Sequence, residues 1–178
     1  RWMNRWHARQ AAYASPAAGF VSQPEPRSNG RVLRGRQLAA GNYLFAGQVV
    51  TTPKASLWEL DGPDRAFAEE IHGFTWPDGL AAAGDAKARA AAQDWTIDWI
   101  ERFGRGVGPG WTPESAGRRL IRWINHAIFL LHARDKEWSE AYYKSLGQQT
   151  IFLSRRWSAA PPGVPRFEAL TGIVYAGL

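Results

Sequence analysis

At Gly84-Asp85 a helix-stopping residue sits directly against a helix-starting one, and apolar residues at helical spacing run away on both sides. Glycine closes helices because it enters the left-handed region without a Cβ penalty. Aspartate opens them because its carboxylate accepts the free amides of the first turn. Two helices joined by so short a turn fold back as antiparallel neighbours. The first unit of the fold is therefore a helix hairpin.

The same punctuation recurs. Asp64 caps a helix predicted over 65–83, with Phe67, Ile71, Phe74 or Trp76, and Leu80 on its apolar side. Pro77 predicts a kink or break within it. The next helix is predicted over 86–103, with Ala88, Ala91, Trp95 and Trp99 on one stripe. The Gly-rich stretch 104–110 reads as a flexible connection. Thr112 then caps a helix over 113–133 that opens on Pro113. Its buried stripe is Leu120, Trp123, Ile124, Ala127 and Leu131. A turn at Arg134-Asp135 leads into a helix over 136–159 with Trp138, Tyr142, Ser145, Gln149, Phe152 and Trp157 inward. A last helix begins near Pro165 or Arg166. It shows no stop signal and no partner, so Leu170, Ile173, Val174 and Leu178 are expected to need a covering surface, given either by the hairpins already present or by continuation of the chain in a larger protein.

Upstream, a short basic helix is predicted over 2–14, carrying Trp2, Trp6 and Tyr13. The Pro- and Gly-punctuated stretch 15–30 reads as an extended linker or wrapping arm. The run GNYLFAGQVV over 41–50 reads as a short strand or a buried extended segment. The expected organisation is an arm over 1–62 and a helical body over 63–178. The fold class is all-α, built of antiparallel helix hairpins.

Composition narrows the chemistry. Cysteine is absent, which excludes disulfides and thiolate catalysis. No apolar run approaches the ~20 residues needed to cross a bilayer, so no transmembrane segment is expected. No zinc-protease, nucleophile-elbow or phosphate-loop pattern occurs, so neither metal nor cofactor is expected. The net charge of +6 is mostly arginine. It suits an anionic partner, because the guanidinium fork matches carboxylate and sulfate; coding bias explains it equally well. Acidic residues interrupt the basic ones throughout, so a nucleic-acid partner is not expected.

Arg119, Arg122 and His126 recur at spacings of three and four and so share a helix face, with Arg118 and Asn125 beside it. Such a face suits a clamp for a uronate carboxylate or a sulfate; a solvated face opposite Leu120 and Trp123 is the plainer reading. His72, near Trp76, suits a sugar site or a hydrogen-bonded residue between helices.

Three blocks carry a resemblance: IHGFTWPDGLAAAGDAKARAAAQDWTIDWIERFG over 71–104, WTPESAGRRLIRWINHAIFLL over 111–131, and PRFEALTGIVYAGL over 165–178. In their order and spacing they resemble the N-terminal helical domain of heparinase II/III-type polysaccharide lyases. The matching features are the Gly-Asp junction, Trp111 with Pro113 and the Arg119-Leu120 pair, and Glu168-Ala169 followed by Tyr175-Ala176-Gly177.

The resemblance implies part of an (α/α) toroid, incomplete here, with a β-sandwich domain elsewhere in the parent. It also implies β-elimination of an acidic polysaccharide. In that family a Tyr and a His move the protons, and Asn, His or Arg groups neutralise the uronate carboxylate so that charge developing at the adjacent carbon is stabilised. No catalytic residue is carried over to this chain. Arg119, Arg122, His126, His72, Trp76, Trp111 and Arg166 are the expected substrate-binding set, and the chain alone is expected to bind weakly and cleave nothing. The resemblance implies a periplasmic location; cytoplasm stays open.

One departure matters. Where the family often carries an Asn-His pair before Glu-Ala, this chain has Gly163 and Val164. Arg166 is the candidate substitute. Either the substrate chemistry differs or the branch has lost lyase activity, leaving a non-catalytic glycan-binding or scaffold module. A toroid hydrolase would need two facing carboxylates, and Asp64, Asp78, Glu69 and Glu114 offer no clear pair.

Overall fold

The structure, a computed structural model, describes residues 2–13, 17, 19–22, 30–52, 56–60, 62 and 64–177. These residues are predominantly helical: α1 (Trp2–Ala11), α2 (Val32–Ala39), α3 (Arg65–His72), α4 (Pro77–Ala83), α5 (Ala86–Phe103), α6 (Pro113–Asn125), α7 (Ala127–Leu131), α8 (Lys136–Arg156) and α9 (Val164–Ala176). Single 3₁₀ turns stand at Leu57–Glu59 and Trp157–Ala159. Among the described residues no helix is long and apolar enough to cross a membrane.

The caps act where the residue types place them. Asp64, Asp85, Thr112 and Asp135 each accept an amide of the first turn from Phe67, Ala88, Ser115 and Trp138 respectively. Gly84 closes α4 at φ 67°, the left-handed region. The predicted break before Pro77 separates α3 from α4.

The run over 41–50 is nearly the whole of a β-hairpin rather than one strand. β1 (Asn42–Phe45) pairs antiparallel with β2 (Gln48–Thr51), Asn42 opposite Thr51 and Phe45 opposite Gln48. Its two turn residues, Ala46 and Gly47, have φ of 50° and 77°, the positive pair that a tight hairpin turn requires. Tyr43 and Phe45 point inward, and Phe45 meets Phe67 of α3 edge-on at 5.5 Å. Arg34 of α2 donates to the Leu44 carbonyl and the Glu70 carboxylate, both at 3.0 Å.

One core therefore runs from Ala8 to Ala169, across the boundary between 1–62 and 63–178. Of the expected arm, 17 and 19–22 are neither helix nor strand, and Phe20 packs against Tyr143 at 5.6 Å; 23–29 lie outside the described residues.

Two expectations need correction, and one helix stands where no element was expected. That helix, α2, carries Gly35 mid-helix and no side-chain cap. It is held by contact with α4: a Cβ on Gly35 would lie 2.0 Å from the Gly79 carbonyl oxygen. The helix predicted over 113–133 breaks at His126, leaving α7 as a separate short turn. Finally, α9 has a partner. It crosses α6 backbone to backbone, where a Cβ on Gly117 would sit 2.3 Å from the Glu168 carbonyl oxygen. Its buried residues are Ala169 and Gly172, while Phe167 and Val174 remain 70% and 61% exposed. Small residues bring the two helices together, and the larger apolar ones face away.

Candidate functional site

Helix α6 lies between α8 on one side and α9 on another, and this decides the fate of its polar residues. Arg119 is completely buried. Its Nε donates to Gln149 Oε1 at 2.6 Å, and its Nη1 donates to the carbonyls of His72 (2.9 Å) and Gly110 (3.1 Å). Its guanidinium carbon stands 4.0 Å from the Trp99 ring centre and 5.5 Å from that of Trp111. Nη2 has no hydrogen-bond partner among the described residues. Burial, and secondarily Arg118, hold this guanidinium well below its ordinary range. Neutral oxygens and indole faces replace the carboxylate that a buried cation usually has.

His72 belongs to the same cluster. It is buried, and its Nδ1 accepts from Trp99 Nε1 at 3.1 Å. Burial, with the Arg119 charge adding to it, pushes its pKa down to about 3. At neutral pH it is a neutral acceptor. Trp76 and Trp111 are buried as well; Trp76 donates to the Ile71 carbonyl and Trp111 to that of Phe103. Arg119, His72 and Trp76 are inside the helical body, and Trp111 is buried except where it lines a groove with Arg5, Arg65 and Thr112.

Arg122 and His126 continue the same row toward the C-terminal end of α6, where Arg122 is half-buried and His126 is buried beside Asp78 of α4. His126 Nε2 is 2.7 Å from Asp78 Oδ1, and Arg122 Nε is 3.6 Å from Asp78 Oδ2. Next to them Arg118 pairs with Glu168 of α9 at 3.5 Å. Burial raises the Glu168 pKa, Arg118 and Arg122 pull it back, and Glu114 adds to the rise. Cations and carboxylates thus compensate each other across α4, α6 and α9. The shared clamp expected of Arg119, Arg122 and His126 does not form, because the first is inside the core and the other two are paired with Asp78.

Arg166 is also engaged. Its Nε and Nη2 donate to the Ala160 carbonyl at 3.2 and 2.9 Å, and Nη2 also to Ser158. It closes the turn before α9.

A group of cations without ion pairs lies elsewhere. A groove of about 790 Å³ runs between the C-terminal ends of α1 and α5 and the flank of α8. Arg9, Arg105 and Lys144 line it, with Glu101, Tyr13 and Gln148. None of the three cations forms an ion pair among the described residues. The walls are fixed from behind. Gln148 Nε2 donates to the Ala8 carbonyl at 3.1 Å, Arg156 Nε to Asn4 Oδ1 at 2.9 Å, and Gly106 lies so close to α1 that a Cβ would meet the Arg9 amide nitrogen at 2.6 Å. The sequence gives little hint of this place, since its cations come from three distant segments. Among the described residues no group of His, Asp and Glu is arranged to hold a metal ion.

Comparison with protein-family models, with curated proteins and with solved structures finds no match in any of the three.

Proposed function

We propose that this chain is the helical, toroid-forming part of a heparinase II/III-like lyase acting on an acidic polysaccharide, with the proton-transferring residues supplied by a longer parent. The observation that carries this reading is the meeting of the three resembling blocks. His72 and Trp99 of the first, and Trp111 and Arg119 of the second, share one buried cluster. The second block meets the third where Gly117 lies against Glu168 and Ala169. Residues that carry a resemblance at separate places in a sequence gain weight when they form one packed unit. On this reading Arg119 and His72 build the wall of the toroid and contact no substrate.

The test is an assay of the 178-residue chain and its parent on heparin, heparan sulfate and alginate, following the absorbance of unsaturated uronate. The expected result is turnover by the parent and binding without turnover by the chain. A parent that neither binds nor cleaves any of the three removes the reading, and turnover by the chain alone removes the claim that it lacks the catalytic set.

One observation favours a second reading, a non-catalytic glycan-binding or scaffold module. Gly163 and Val164 stand at the very start of α9, Gly163 at φ 91° and Val164 71% exposed. Neither offers a side-chain donor to neutralise a carboxylate, and Arg166 is spent on the backbone. Binding by the parent without any turnover is the result this reading expects.

A further inference from the structure

We infer that the groove between α1, α5 and α8 is the seat of an acidic oligosaccharide; the inference rests on the polysaccharide reading above and gives it a place. Three exposed cations from three segments converge on one concave surface, and none forms an ion pair among the described residues. Arg34, Arg65, Arg102, Arg118, Arg122 and Arg134 pair with acids, and what sets the groove apart from other exposed cations such as Arg36 and Lys87 is that three of them line one concave surface. An unpaired cluster in a concavity focuses a positive field where a ligand sits.

The remaining lining residues select among anions. Glu101 stands in the groove beside the cations. A uniform run of phosphates would meet it as a like charge, whereas a sugar chain alternates carboxylate or sulfate groups with hydroxyls, and a carboxylate accepts from hydroxyls. Tyr13, with its side chain almost wholly exposed, offers a flat ring to a pyranose face. Gln148 and Ser145 form the buried floor of the groove, held by Ala8 and Gln149. The C-terminal ends of α1 and α5 bring partial negative charge to the groove, which Arg9 and Arg105 offset, so affinity depends on all three cations together.

The experiment titrates fluorescein-labelled heparin hexasaccharide and polygalacturonate hexasaccharide with the 178-residue chain at low ionic strength. The test variant is Arg105→Glu/Lys144→Glu. Its charge-matched control is Arg36→Glu/Lys87→Glu, at exposed residues outside the groove. Loss of two charge-assisted contacts is expected to weaken binding by more than about tenfold, while the control stays within about threefold because distant exposed charges are screened. Tyr13→Ala and the milder Lys144→Gln repeat the test without charge reversal and are expected to weaken binding too.

Wild-type binding that both double variants weaken equally overturns the groove and leaves the polysaccharide reading standing. Wild-type protein that binds neither hexasaccharide overturns both. A single-stranded oligonucleotide that binds more tightly than either sugar, and loses affinity in the groove variant, overturns the ligand class.

Discussion

Two arginines on α6, Arg119 and Arg122, are less than one turn apart, yet they occupy different physical worlds. Arg119 is sealed among Trp99, Trp111, Gln149 and two backbone carbonyls, with no carboxylate. Arg122 stays half-buried beside Asp78, which His126 shares. The first arginine is a strut whose fork joins α6 to α8, to the end of α3 and to the loop before α6. The second stands nearer the surface, where solvent weakens its pairing with Asp78. Spacing alone places both in one row; depth separates them.

The largest expected effect breaks the buried side. Arg119→Ala leaves the Gln149 oxygen and the two carbonyls without a donor and opens a cavity, so it is expected to cost about 5 kcal/mol in denaturant unfolding. Arg119→Lys is expected not to restore stability, because an ammonium does not reproduce the planar fork. A loss below about 1 kcal/mol for Arg119→Ala would place the arginine on the rim side of the comparison.

The next effect comes from acid and reads the same cluster. His72 has an unfolded value of 6.5 and a folded value of about 3. Between these the unfolded chain binds more protons, so stability falls as pH falls from 6.5 toward 3. By pH 4 the loss attributable to this residue is about 3 kcal/mol. His72→Gln is expected to flatten that part of the stability profile while lowering stability at neutral pH, as followed by melting temperature against pH.

The α6–α9 crossing gives a smaller effect. Gly117→Ala puts a methyl against the Glu168 carbonyl and is expected to cost about 1–3 kcal/mol. Arg118→Gln removes only the rim pair with Glu168 and is expected to cost less, which tests whether backbone contact or charge holds α9. Smallest of all, Arg122→Gln is expected to change stability by less than about 1 kcal/mol, since Asp78 keeps His126. A loss as large as that of Arg119→Ala would erase the distinction between the two arginines.

Much of the secondary structure was legible because its signals are local. Asp64, Gly84, Asp85, Thr112 and Asp135 each act within one turn of themselves. Helix α2 was not legible, because what holds it is a glycine contact with α4 more than forty residues along the chain. The surface of α9 was misread because Phe167, Leu170 and Val174 outweigh Ala169 and Gly172 in apolarity, whereas close approach rewards small side chains. Within the site, Trp111 and Arg119 were expected at a substrate surface, whereas for His72 the open alternative of a hydrogen-bonded residue between helices is the one observed, with Trp99 donating to it. The small residues Ser115, Ala116 and Gly117 were the available signal that this flank of α6 is covered.

The amino-acid sequence by itself determined the helices that carry caps, where they stop, and the all-α character of the body, since capping and helical spacing are satisfied by neighbours in the chain. Only the tertiary structure decided which arginines are inside and which cations remain unpaired. Burial and charge pairing depend on what arrives from afar: Asp78 reaches His126 across 48 residues, and Gln148 holds Ala8 across 140.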